Sequence, residues 1–508
     1  MTKRKWLAAS LVSERQSVHG TFIPQAYSIG LTADLLNTVN NLPKYPIAFS
    51  DPEQRKGFSD ALTLYHEATH FAQFITTSFG LQIARMTNIC SNRLSQEGPW
   101  ELPILAMPFG KIEGETLDRL LAFKYLFNSL QPISSVTQTP FGMRMSSSPT
   151  IVARPASPVL YLLDEEHDIA EAISLIKGSN AQIHAEYHVI TPTGKGNFND
   201  VTLNVAALME GYAQMAELHH ISNALGDFTA TDLADVLDSA LPIYSAATVV
   251  YGLIFSLPFN YLILHLTALI DIALMYSPHL LFNIGPCHSL AAGGTQYKMP
   301  AEVFVDACGA AQRVKPILDH SPTEVQRFQD EVCDVLKIPR TKEMTDVALQ
   351  RLAQIGIKNK EDCEAILADE RPMHRGKLFT LHWLGLNYRK QHGDGFCADL
   401  FKTDYLIDMI NLAASHVTFY DLATGVPFGF HPGRIITSSL STLIWDALHS
   451  ERLECPLKAG RPYFCGGARR GEDRLCVFVT NEGSSGLGGY GECILDLFER
   501  DAQITSRL

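Results

Sequence analysis

Apolar and polar positions recur with a helical period over residues 60–79, a stretch with no Pro or Gly. Leu64, Ala68, Phe71 and Ile75 obey the i, i+3, i+4 rule and form one apolar stripe. Thr63, His66, His70 and Thr77 trace a more polar strip beside it. Ser59 and Asp60 are candidate N-caps, and Gly80 stands where a C-cap glycine would fall. The spacing predicts a helix over 60–79 that buries one side and turns another toward a cleft.

Further elements follow from the same reading. Residues 182–190 alternate at period two, so as a strand they put His184, Glu186 and His188 on one face and Ile183, Ala185, Tyr187 and Val189 on the other. We expect this to be an edge strand bordering the cleft. A helix is expected over 201–225, with Asn199 and Asp200 as cap candidates. Apolar runs at 249–255 and 261–270 predict a pair of buried helices within 240–276. Pro258, Asn260, His265 and Asp271 interrupt these runs, and no Lys or Arg occurs from Gly196 to Tyr297, which argues against stable membrane insertion. Downstream, helices are expected near 301–319, 322–336, 342–355 and 359–369, then near 398–415 and 435–451, with a strand at 475–479. The glycine-rich segment 486–491 fits GxGxxG, but too few residues follow it for a dinucleotide-binding unit. The fold class is α+β and predominantly α-helical. It divides into residues 1–290 as a first domain, 300–373 as a helical subdomain and 375–508 as a C-terminal α+β region.

Composition narrows the partners. A chain of 508 residues is too long for one core, and 46% apolar with 19% charged residues is ordinary for a globular protein. A net charge of −13 argues against nucleic acid, because phosphate binding needs clustered Lys and Arg. The N-terminal apolar run stops at Val12, too short for a secretory signal. The ten Cys residues form no CxxC pair, so reduced thiols and a cytoplasmic location are expected.

Candidate chemistry lies in His66-Glu67-Ala68-Thr69-His70. Residues i and i+4 share a helix face, so both imidazoles can approach one metal ion with Glu67 alongside. A second candidate is Glu210, in the helical stretch from Leu203 to Glu217. A carboxylate among small and apolar residues is costly to bury unless paired or metal-bound. Gly211 and Ala213 beside it allow close approach of another helix. Asp271 is likewise a lone carboxylate on an apolar helix, needing a partner.

The segment from Thr63 to Ala72 resembles the extended motif of the zincin metallopeptidases: Thr three residues before the first His, uncharged residues in the gaps and Phe71 after the second His. The metzincin extension does not continue, because Gln73 and Thr76 occupy the places of its Gly and third His. A gluzincin-like arrangement remains, with a zincin-like core of active-site helix and small sheet. The resemblance implies Zn2+ on His66, His70 and a third ligand, either Glu210 or its same-helix rival Glu217, and Glu67 as general base toward a metal-activated water. Asp271 would orient a zinc-bound imidazole or instead bond to Thr267 or a backbone N–H. His184, His188 and Tyr212 are candidates to stabilise an oxyanion. The implied function is an intracellular zinc peptidase acting on a protein or peptide substrate, with a regulatory protein as a possible further partner. A non-proteolytic metal-dependent hydrolase and a zinc-stabilised assembly protein are the alternatives.

Overall fold

The computed structural model describes residues 20–23, 28–31, 51–84, 134–138, 149–156, 184–194, 197–225, 242–254, 259–276, 298–368, 377–399, 418–421 and 427–428. The helix expected over 435–451, the strand at 475–479, the glycine-rich segment 486–491 and most of the helix near 398–415 lie outside these residues.

The first helix, α1, spans Pro52–Ile75. It starts earlier than Ser59 and Asp60 suggested because Asp51 is the stronger cap: its side chain accepts from the Glu53 N–H at 2.9 Å, Pro52 supplies a helix-compatible φ and Glu53 faces the positive helix end. It ends at Ile75 with Thr76 as C-cap. Gly80 is therefore no cap. A Cβ there would lie 1.7 Å from the Phe74 carbonyl oxygen, so its smallness serves close packing just after the helix.

One antiparallel sheet holds β3 (Ser134–Gln138), β4 (Thr150–Ala156), β5 (His184–Gly194) and β6 (Asn197–Leu203) in the order β3-β6-β5-β4. This corrects one expectation, since β5 is an interior strand paired on both sides. Its alternation reflects one face against the core: Val189, Val201 and Leu203 are buried in it. A second sheet, of order β1-β2-β7-β8, joins β1 (Gly20–Ile23) and β2 (Ser28–Leu31) to β7 (Thr418–Asp421) and β8 (Pro427–Phe428). The β2–β7 pair is parallel and brings distant parts of the chain together. No such pairing was expected.

After β6 the chain turns directly into α2 (Val205–Leu225). Asn199 and Asp200 belong to β6, and the cap is Asn204, whose Oδ1 accepts from the Ala207 N–H at 3.0 Å. The apolar pair follows as α3 (Pro242–Ile254) and α4 (Phe259–Met275). Next come α5 (Pro300–Ala311), α6 (Pro322–Leu336), α7 (Thr341–Gln354), α8 (Lys360–Ala368), α9 (Lys377–His392) and the short α10 (Phe396–Asp399). The helices from α5 to α8 match those expected between residues 300 and 373, except that the first stops at Ala311, whereas α9 was not expected. No helix among the described residues is long and apolar enough to cross a membrane.

One core cluster runs from α1 through α2, α3 and α4 into α5 and α6: Phe71, Leu208, Val250, Leu269, Phe304 and Phe328 all belong to it. Two close approaches fix the helices around α1 and α2. At Gly211 a Cβ would come within 2.9 Å of the Ala247 Cβ, which seats α3 on α2. At Gly385 a Cβ would come within 2.6 Å of the Ile75 carbonyl oxygen, which seats α9 on the end of α1. The four described cysteines, Cys308, Cys333, Cys363 and Cys397, are buried free thiols.

Asp271 on α4 sits inside this packing. Both its oxygens receive the Arg389 guanidinium, at 2.7 and 2.6 Å, and Gln329 donates a third bond at 2.9 Å. A fork-to-fork pair this buried joins α4, α6 and α9.

Two stability outcomes follow. Gly385→Ala should lower the unfolding free energy by about 1–3 kcal/mol through overpacking. Gly252→Ala, on α3 with nothing within 4 Å of the new methyl, should leave it unchanged or slightly raised in the same denaturant titration. Arg389→Met should cost about 3–5 kcal/mol because it strands the Asp271 charge, and adding Asp271→Leu should recover most of that loss.

Candidate metal centre

Helices α1 and α2 face each other through matching sets of polar residues. On α1 these are His66, His70 and Gln73; on α2 they are Glu210, Gln214 and Glu217. Each set follows i, i+4, i+7 and so occupies one helix face. His66 and Glu217 meet at one end of this seam, and the neighbouring Tyr65 ring stacks on His220 with centroids 4.1 Å apart.

Three of these side chains converge. His66 Nε2 and His70 Nε2 are 2.9 Å apart, and Glu210 Oε2 is 3.0 Å from the first and 3.2 Å from the second. Tetrahedral zinc with bonds of about 2.0–2.1 Å holds its ligand atoms about 3.3 Å apart, so the triangle is slightly tighter than an occupied one. Its donor set, two imidazoles and a carboxylate with a fourth direction open, suits a divalent metal, and it is the group of its kind among the described residues.

Burial alone would depress the His66 imidazole, yet Glu217 and then Glu210 push its pKa well above the ordinary value. Burial would raise Glu210, but His70 and His66 hold it far below the usual carboxylate range. The carboxylates therefore favour positive charge at this end of the seam, which a protonated His66 supplies without a metal.

Glu217 is not part of the triangle. Its Oε1 lies 2.9 Å from His66 Nδ1, at ion-pair distance but off the line of the ring N–H, so the contact is an ion pair rather than a well-aimed hydrogen bond. With Nδ1 on the Glu217 side, His66 presents Nε2 to the triangle. The rivalry between Glu210 and Glu217 therefore resolves into two roles, one in the triangle and one behind it.

Glu67 lies beside the triangle, 5% exposed, with Oε2 unpaired among the described residues. Burial is the main cause that lifts its carboxyl to about 7, opposed by His66 and His70. The Tyr244 ring on α3 stands edge-on to His66 with centroids 5.5 Å apart, brought there by the close α2–α3 approach at Gly211. Nothing in the sequence singled out Tyr244.

The remaining candidates fall elsewhere. Asp271 does not orient an imidazole, nor does it bond Thr267, whose hydroxyl donates to the Ile263 and Leu264 carbonyls; its partners are Arg389 and Gln329. Tyr212 points away from the seam, since it stands two residues from Glu210 on the helix, and its hydroxyl donates to the Cys397 carbonyl at 2.6 Å. That bond removes it as an oxyanion group. His188 pairs with Asp200 at 2.8 Å across the β5–β6 pair, on the sheet face opposite Val189. His184 pairs in register with Ala156 at the start of β5, and its side chain lies outside the described residues.

No family model, curated protein or solved structure matches this chain. Assignment of the site therefore rests on its geometry and on the motif at His66 to His70.

Zinc titration by equilibrium dialysis tests the division of roles. Glu210→Ala should abolish tight binding. Glu217→Leu should keep the site but weaken it about 10- to 100-fold, the usual cost of losing an outer carboxylate. Equal losses in both variants would return Glu217 to the triangle.

Proposed function

We propose that the chain is a zinc-dependent peptidase of the gluzincin-like kind, hydrolysing peptide bonds in a protein or peptide substrate. The observation that carries this reading is the convergence of His66, His70 and Glu210 within 3.2 Å of one another, with Glu67 adjacent on the same helix. Zinc held by those three residues would supply a Lewis-acid centre that acidifies water and polarises a carbonyl.

The chain's own groups supply the rest. Glu67 takes the proton of the attacking water and returns it to the departing amine. His66, fixed from behind by Glu217, and His70, fixed by its place one turn on, hold their Nε2 atoms toward a common point. Glu210 brings the negative charge that complements a divalent ion. The mostly helical frame, the small antiparallel sheet before α2 and the reduced buried thiols agree with a zincin-like core in a reducing compartment.

Burial qualifies the substrate. His66, Glu67 and His70 are all no more than 6% exposed, so a protein substrate needs an opening step before it reaches Glu67. Such closure suits a peptidase restrained until a regulatory partner acts. It also favours the second reading, a hydrolase of a small molecule or a metal held only to brace the helices.

Metal content and cleavage separate these readings. Wild type and Glu67→Gln should each bind about one zinc, and only wild type should degrade proteins of a cell lysate. Cleavage surviving in Glu67→Gln removes Glu67 as base. A small-molecule hydrolase would turn over ester or amide substrates while sparing protein, and a bracing metal would give a stable zinc protein with neither activity.

A further inference from the structure

The seam between α1 and α2 contains more polarity than the metal triangle uses. Gln73 lies three residues after His70 and seven after His66, on the same face of α1. It is 2% exposed, and neither its amide nitrogen nor its amide oxygen has a hydrogen-bond partner among the described residues. His70 Nδ1 and Glu67 Oε2 nearby are unmatched in the same way. A buried side-chain amide left with both a donor and an acceptor empty is costly, and native proteins keep such groups where a ligand or water completes them.

The direction of the unmet need identifies a chemistry. A side-chain amide offers its C=O and one N–H toward the same side, and their complement on a main chain is the N–H and C=O of one extended residue, which also point the same way. Gln214 across the seam is also unmatched, but it lies between Glu210 and Glu217, which are both engaged with His66. That places Gln214 with the groups supporting the metal ligands. Gln73 lies beyond His70, on the side away from Glu217. It is as enclosed as Glu67 and His70, so whatever opening admits a substrate to them admits it to the next turn of the same helix.

We propose that Gln73 is a substrate-binding residue that pairs its side-chain amide with the main-chain N–H and C=O of one extended substrate residue, beside the bond held near His66 and His70. This rests on the peptidase reading and gives it a specific requirement: the site recognises the peptide backbone itself, so substrates lacking a second peptide group near the cleaved bond bind poorly. It also makes Gln73 a residue retained at a cost to stability.

The test separates binding from cleavage. In zinc-loaded Glu67→Gln protein, fluorescence anisotropy measures binding of a fluorescein-labelled pool of random-sequence peptides, with and without Gln73→Met or Gln73→Leu. Both changes should weaken binding roughly 10- to 100-fold, as expected for two lost hydrogen bonds. Zinc content should be unchanged, and the thermal midpoint unchanged or raised, because an unmet polar group has been replaced by an apolar one. A lowered midpoint in both variants means that the amide is satisfied within the protein and overturns the proposal. Unchanged peptide affinity overturns it too, whatever the midpoint does. Absence of any peptide binding by the Glu67→Gln protein also overturns it. The peptidase reading is judged separately, by whether zinc-loaded wild type cuts the same pool.

Discussion

Three carboxylates and two imidazoles share the interface of two buried helices, and the need to neutralise them governs the arrangement around α1 and α2. Glu67, Glu210 and Glu217 cannot all be ionised in a dry interior without positive charge among them. Part of the answer is internal, since His66 lies between Glu210 on one nitrogen and Glu217 on the other. A protonated His66 bridging two carboxylates and a neutral His66 shared between a cation and Glu217 are two solutions to the same electrostatic problem. The second leaves Nε2 free to ligate and relieves the close approach of the His66 and His70 nitrogens, which otherwise face each other at 2.9 Å. The first neutralises the seam from within the chain, and the second is the state in which the His66, His70 and Glu210 group could hold a divalent ion.

Holding the seam in register requires rigid neighbours, and the fold supplies them by close approach. Gly211 lets α3 press against α2 next to Glu210, and Gly385 lets α9 press against the last turn of α1 beyond His70. The Asp271–Arg389 pair then ties α9 to α4, while the Tyr212 hydroxyl ties α2 to α10 through the Cys397 carbonyl. The helices after residue 300 therefore brace α1 and α2 through one continuous core.

What could be read from the sequence follows the range of the interactions. The pair His66 and His70 was legible because helical spacing is local, and the helices of 300–368 were legible from their caps and apolar periods. Glu210 needed one long-range step, but an acidic residue amid small and apolar neighbours announces a buried partner. Several misreadings concern partners chosen by tertiary packing. Asp271 was correctly seen to need one, yet Arg389, 118 residues away, carries no mark of that role. The alternation in 182–190 gave the strand but not its interior place, because period two describes faces and is silent about edges. Start and stop signals also misled where two competed: Asp51-Pro52-Glu53 outweighed Ser59 and Asp60, and Gly80 answered to packing against Phe74.

Gln73 shows how one position can be judged by two standards. Against the metzincin pattern it is only a mismatch, the residue standing where a glycine would continue the motif. Against the helix geometry it is the third member of an inward-facing set with His66 and His70. A sequence selected for stability alone would place an apolar residue there, since α1 buries this face almost completely. Retaining an amide with no internal partner among the described residues weakens the local packing, as does placing Glu67 with one oxygen unpaired. Local violations of this kind cluster where a site must bind something that the folded chain does not itself contain. Here they fall within two turns of one helix, beside the only group of described side chains that meets the geometry of a metal site. The unmet hydrogen bonds of Glu67 and Gln73 thus share the α1–α2 seam with the His66, His70 and Glu210 group.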